Sequence, residues 1–97
     1  MLHFILGTVA DKNPEPILRL LPKNARYYFV RANIERALDE KELREKASVF
    51  GLAGDSYTSV FEGFKEAKMN AGKHDLIFIG GSTFVVAEIL QQNFRWI

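Results

Sequence analysis

Apolar residues fall in short runs separated by turn residues, a pattern of alternating strands and helices. Leu2-His3-Phe4-Ile5-Leu6 is a buried-strand candidate that stops at Gly7. After the loop from Thr8 to Lys12, Asn13 is placed to cap a helix whose first position is Pro14, where a missing N–H costs little. That helix presents Ile17, Leu18, Leu20 and Leu21 and stops at Pro22. The aromatic and β-branched stretch Ala25-Arg26-Tyr27-Tyr28-Phe29-Val30-Arg31 predicts a second strand, followed by a loop through Asn33. Asp39 and Glu42 have capping-box spacing for a helix reaching Phe50, with Leu43 and Ala47 on one face and Gly51 and Gly54 at its end. Ser56 is then expected to cap a helix in which Val60, Phe64, Ala67 and Ala71 form one stripe, closed by Gly72.

The most continuous apolar run comes last: Asp75-Leu76-Ile77-Phe78-Ile79, the turn Gly80-Gly81-Ser82-Thr83, and Phe84 to Leu90. A fully apolar strand reads as central in a parallel sheet covered on both faces. Strands separated by helical segments imply right-handed βαβ crossovers. The expected class is therefore α/β, a Rossmann-like, mostly parallel sheet with helices on both faces. Three strands are few for an open sheet and the first begins at Leu2, so a further strand and its helix are expected upstream in a parent protein.

Composition narrows the function classes. Ninety-seven residues, 47% hydrophobic and 26% charged, describe one domain over 1–97 with a single core. Thirteen Lys+Arg against twelve Asp+Glu are scattered rather than gathered into a stripe, so nucleic acid is not an expected partner. The absence of cysteine removes disulfides, thiolate metal sites and thiol catalysis, and fits a reducing compartment such as the cytoplasm. The apolar runs are far shorter than the roughly 18–20 residues of a membrane span. The chain start has neither the basic segment nor the small-residue cleavage site of an export signal.

Open parallel sheets bind ligands beyond the carboxyl ends of their strands, so the loops there hold the candidate chemistry. In Gly7 to Asn13, Asp11 and Lys12 stand side by side, either as a solvated ion pair or with Lys12 aimed at a substrate carboxylate. Ser82 and Thr83 follow two glycines at a helix start, where unpaired N–H groups favour anions; alternatively they only cap the helix. The loop is neither a Walker A sequence nor a complete G-x-G-x-x-G. Arg36, near Ile34 and Ala37, is of a type usually exposed or ion-paired. His3 and His74 have no second ligand at metal spacing and read as structural or solvent-facing, so no metal site is expected. Tyr27, Tyr28 and Phe29 read as strand aromatics rather than a stacking platform, for want of a basic groove. Glu88, in an otherwise apolar helix, faces its wet edge or pairs internally, with Arg36 a candidate partner.

The ordered set Leu6-Gly7, Ala10-Asp11-Lys12, Leu20-Leu21-Pro22, Tyr27-Tyr28-Phe29, Arg36-Ala37 and Ile77 to Glu88 resembles the carboxy-terminal domain of bacterial folylpolyglutamate synthase/dihydrofolate synthase, of the Mur ligase superfamily. The resemblance covers nearly the whole chain and rests on order and separation rather than on one motif. It implies a reaction in which ATP phosphorylates a pteroate or folate carboxylate and the glutamate amine attacks the acyl phosphate. It also implies that ATP and magnesium bind mainly in another, central domain. Carried over by residue, Lys12 would bind a carboxylate of glutamate with Asp11 orienting its loop. Ser82, with the N–H groups of Thr83 and Phe84, would take the other carboxylate, and Arg36 would assist. The family's Asp-Gly-Ala-His-Asn motif and its phosphate loop are absent. The chain is accordingly expected to be a fragment of the carboxy-terminal domain of a larger ligase. It would be partnered by an amino-terminal ATPase domain, inactive alone, and prone to self-association. The alternatives are a stand-alone Rossmann-like binding module and a non-catalytic interaction domain. A response-regulator receiver is disfavoured, because Gly7-Thr8 stands where its phosphoacceptor Asp is required.

Overall fold

The structure is a computed structural model and describes residues 1–81; Ser82, Thr83, Phe84 and Glu88 lie outside the described residues. The elements in chain order are β1 (Leu2–Leu6), α1 (Glu15–Leu18), β2 (Ala25–Val30), α2 (Glu40–Val49), β3 (Gly54–Tyr57), α3 (Val60–Asn70) and β4 (Leu76–Gly80). The four strands form one parallel sheet in the order β3-β2-β1-β4. In register, Leu6 of β1 stands opposite Phe29 on one side and Gly80 on the other.

The connections explain the two layers. From β1 through β2 to β3 the chain steps one way along the sheet, and right-handed crossovers then hold α1 and α2 to one face. Passing from β3 to the far side of β1 reverses the step, so α3 lies on the opposite face. The period-2 alternation of the strands feeds both layers. Phe4, Leu6, Tyr27 and Phe29 pack with Leu18, Leu43 and Ala47, while Ile5, Tyr28 and Val30 pack with Val60 and Ala67. Each such buried side chain contributes about 1.5–3 kcal/mol, so these layers rather than surface ion pairs hold the fold.

Helix starts follow side-chain chemistry. Asp39 accepts from the N–H groups of Lys41 and Glu42 at 3.0 and 3.1 Å, and the acidic first turn and Lys46 in the last turn of α2 complement its dipole. Gly51, at φ +79°, takes the left-handed conformation that closes α2. Ser59 Oγ accepts from Glu62 N–H at 3.1 Å to start α3.

The fold class expected from the pattern is the one observed, with three corrections. Gly54-Asp55-Ser56-Tyr57 is a strand, so Gly54 opens β3 instead of ending α2, and the cap of α3 is Ser59 instead of Ser56. The first helix is a single turn: Asn13 Oδ1 accepts from Glu15 N–H at 3.1 Å, Pro14 precedes the helix, and Leu20 is exposed beyond its end. Within the described residues β4 is an edge strand, not a central one, because β1 has β2 on its other side. Arg36, read as exposed or ion-paired, is both, with Asp11 as its partner, as described below.

Candidate functional site

The step direction of the chain reverses between β1 and β4, and at such a switch point the carboxyl ends of neighbouring strands part to leave a crevice. The loop after β1 therefore begins at the place where a ligand is expected. Its far side is laced to the loop after β2. Val9 and Ala37 form an isolated antiparallel bridge, Ala10 N–H donates to the Arg36 carbonyl at 2.6 Å, and Leu38 N–H donates to the Thr8 carbonyl at 2.9 Å. On the β4 side, Gly81 has φ +96°, and a Cβ there would run into the Gly7 carbonyl and lie 2.7 Å from Leu6 Cδ1. A side chain at 81 would wedge the β1 and β4 turns apart; glycine lets them touch.

This lacing brings together three of the candidate residues. Arg36 Nη2 donates to Asp11 Oδ2 at 3.3 Å, both side chains being exposed. An exposed pair of this kind adds little stability. Its effect is positional, since it joins the two loops next to Lys12. Among the described residues Asp11 is the ion-pair partner of Arg36; Glu88, the candidate partner read from the sequence, lies outside the described residues. Lys12 lines an open cleft of about 390 Å³ with Ala10, Asp11, Asn13, Pro14, Leu38, Glu42 and Lys46. Glu42 and Lys46 are one helical turn apart on α2, so the cleft carries two ammonium groups and, with Asp11, two carboxylates. That lining suits a zwitterion or a small dicarboxylate better than a bare polyanion. The single-turn α1 offers no appreciable helix dipole, so any anion binding in this loop falls to Lys12 itself.

One buried polar group escaped the sequence reading. Thr8 is 8% exposed, and among the described residues its Oγ1 is the buried side-chain polar atom with no hydrogen-bond partner. Leaving a buried hydroxyl unpaired costs about 1–3 kcal/mol. The signal available in the sequence was position alone: Thr8 is the first hydroxyl past the end of β1. Lys46 was missed for a similar reason, since it reads as a solvated helix residue until α2 is packed beside the Lys12 loop.

The histidines lie elsewhere. His3 is buried at the amino end of β1, with Nε2 2.9 Å from Asp75 Oδ2 and Nδ1 2.8 Å from the Tyr28 hydroxyl. An ionised carboxylate only accepts, so Nε2 carries the proton, and in the neutral ring Nδ1 accepts from Tyr28. This network sits at the opposite end of the sheet from the loops above and ties β1, β2 and the turn before β4 together. His74 is exposed in that turn. Tyr27, Tyr28 and Phe29 are fully buried core residues. Among the described residues no three His, Cys, Asp or Glu side chains gather where they could hold a metal ion, and no helix is long and apolar enough to cross a membrane.

No protein-family model matches the sequence, and no curated protein matches it. Solved structures do. Ligand-free bifunctional folylpolyglutamate synthase/dihydrofolate synthase from Yersinia pestis superposes with a TM-score of 0.82 at 18% identity, over 94% of this chain and 22% of that one. The fold is that of a folylpolyglutamate synthase domain. E. coli FolC in complex with DHPP and ADP gives 0.78 at 19% identity, over 94% of this chain and 21% of that one. Folylpolyglutamate synthase of Mycobacterium tuberculosis with ADP and AMPPCP gives 0.79 at 18%, over 99% and 24%. A further Yersinia pestis structure of the bifunctional enzyme holds AMPPNP and a Mn ion. The chain thus spans under a quarter of the length of these folylpolyglutamate synthases. The resemblance carried by Ala10-Asp11-Lys12 and its companions and the likeness of the backbone lead to the same enzymes.

Proposed function

We propose that this chain is the carboxy-terminal, substrate-binding domain of an ATP-dependent ligase of the folylpolyglutamate synthase/dihydrofolate synthase type. The ligase joins L-glutamate to a pteroate or folate carboxylate through an acyl phosphate, in the cytoplasm. The observation that carries the reading is the Asp11-Lys12 loop, which leaves the carboxyl end of β1 and lines a cleft with α2, in a fold shared with these enzymes. In this reading Lys12 binds a carboxylate of glutamate. Asp11, held by Arg36, orients the Lys12 loop, so Arg36 acts through Asp11. Ser82 and the N–H of Thr83 take the second carboxylate. ATP and magnesium bind mainly on a partner ATPase domain, and magnesium would neutralise charge on the phosphates there. This domain contributes the amino-acid side of the cleft and excludes water from it when the two close together.

Lys12 provides the test. Removing a charge-assisted hydrogen bond costs roughly 1.5–3 kcal/mol, so Lys12→Ala in the complete ligase should raise the glutamate KM about 10- to 150-fold. The ATP constant should change much less, and folding hardly at all, since Lys12 is exposed. The measurement is steady-state kinetics with glutamate and ATP varied separately. A raised ATP constant with an unchanged glutamate KM would move Lys12 to the nucleotide; no change in either would return Asp11-Lys12 to a solvated turn.

A further inference from the structure

We propose that Glu42 receives the α-ammonium of the amino-acid substrate in the cleft it shares with Lys12; this rests on the ligase reading above. Glu42 lines that cleft from α2 and Lys12 from the loop after β1, and both side chains are exposed. Of the two carboxylates in the lining, Asp11 is paired with Arg36 at 3.3 Å. The Glu42 carboxylate has no hydrogen-bond or ion-pair partner among the described residues. Two groups stand near it by spacing alone, and neither is used. Lys46 follows one turn later on α2, in the order that favours a Glu–Lys pair, yet no ion pair joins them. Asp39 caps α2 by accepting from the N–H groups of Lys41 and Glu42, but the return bond of a capping box, from the Asp39 N–H to the Glu42 carboxylate, is not formed. The helix start therefore uses the Glu42 N–H and leaves its carboxylate oxygens to the cleft.

That placement gives the carboxylate a use. An amino dicarboxylate carries three charged groups, and the reading above gives its two carboxylates to Lys12 and to the Ser82 turn. The ammonium remains, and Glu42 is the carboxylate of the cleft that Arg36 does not occupy. An ammonium donates a charge-assisted hydrogen bond to such a carboxylate, whereas a dicarboxylate without an amine meets only like-charge repulsion there. Lys12 alone would bind the two kinds of molecule equally well. Glu42 thus selects among anionic ligands for those that carry the amine that ligation consumes, and the ligand class is an α-amino dicarboxylate rather than a dicarboxylate in general.

The test compares Glu42→Gln and Lys12→Ala in the complete ligase, with glutamate varied at saturating ATP and folate. Glutarate, which is glutamate without its amino group, serves as the competing probe. Glu42→Gln keeps the size of the side chain and removes its charge. It is expected to raise the glutamate KM about 10-fold while the inhibition constant of glutarate stays the same or falls. Lys12→Ala is expected to raise both constants. A Glu42→Gln enzyme with unchanged glutamate KM beside a Lys12→Ala enzyme with a raised one would overturn the Glu42 contact and leave the ligase reading standing. Equal rises in the glutamate and glutarate constants of Glu42→Gln would show that the residue only shapes the start of α2, and would overturn the contact as well. Absence of glutamate ligation by the parent enzyme would overturn both readings together.

Discussion

Asp75 receives three donors at the amino edge of the sheet: Gly72 N–H at 2.8 Å, His3 Nε2 at 2.9 Å and the Met1 amino group at 2.9 Å. The Gly72 N–H, then His3 and the amino group, hold its carboxyl far below the ordinary carboxylate range. A group that binds its proton less tightly when folded stabilises the fold above its unfolded pKa, and this contribution is lost as pH falls through the folded value. Asp75 therefore stabilises fully above about pH 4 and progressively less in stronger acid. Asp75→Asn should lower stability at neutral pH and flatten the acid limb of the stability profile, as read by urea midpoints. A variant with the same acid limb as the parent would show that Asp75 is not the titrating group. Little of this was legible in the sequence, where His3 was one lone imidazole in a strand. Its partners come from 25 and 72 residues away and meet only when β2 and the turn before β4 are laid beside β1. Asp11 and Lys12, by contrast, were legible as a candidate site because they adjoin in sequence. What could not be read was Arg36 as the partner of Asp11, since that pair depends on the Val9–Ala37 bridge.

Elements were legible where side-chain pattern carries them and hidden where backbone pairing does. In α2, Asp39, Leu43 and Ala47 play the parts that their spacing assigns. Asp39→Ala should cost about 1 kcal/mol, within the roughly 0.5–2 kcal/mol range for lost caps, because two N–H groups lose their acceptor. A loss of a few tenths or less by chemical denaturation would mean that water replaces the cap fully. β3 was hidden because Gly54-Asp55-Ser56-Tyr57 contains one large apolar side chain; its order comes from pairing with Tyr27 to Val30 in β2. Missing that strand moved the expected cap of α3 from Ser59 to Ser56. β4 failed in the other direction. Leu76-Ile77-Phe78-Ile79 has the composition of a central strand, yet one of its sides is unpaired among the described residues. The α1 segment was read as too long because Ile17, Leu18, Leu20 and Leu21 suggest a helical stripe, whereas only Leu18 is fully buried.

At the scale of the whole molecule, the two sheet edges found among the described residues are built differently. The β3 edge is short and polar, and Arg44 Nε donates to the Gly54 carbonyl at 2.9 Å while its guanidinium lies 3.7 Å from Asp55. Such features keep an edge from recruiting another strand. The β4 edge has neither charge nor proline, and Leu76 and Phe78 are 64% and 51% exposed. We expect the 97-residue chain to self-associate at high concentration through β4. In sedimentation experiments Leu76→Lys or Phe78→Lys should abolish association, while Asp55→Lys on the other edge should not. A chain that stays monomeric at millimolar concentration would contradict this. The larger proposal is that the Lys12 loop, beyond the carboxyl end of β1, works as one wall of a glutamate ligase whose nucleotide machinery lies on another domain. The most direct measurement is ATP-dependent incorporation of labelled glutamate into folate, run on the 97-residue chain and on the complete polypeptide that carries it. The account predicts incorporation with ADP release by the complete polypeptide and none by the chain alone. Incorporation by the isolated chain, or none by the complete polypeptide under any folate substrate, would contradict it.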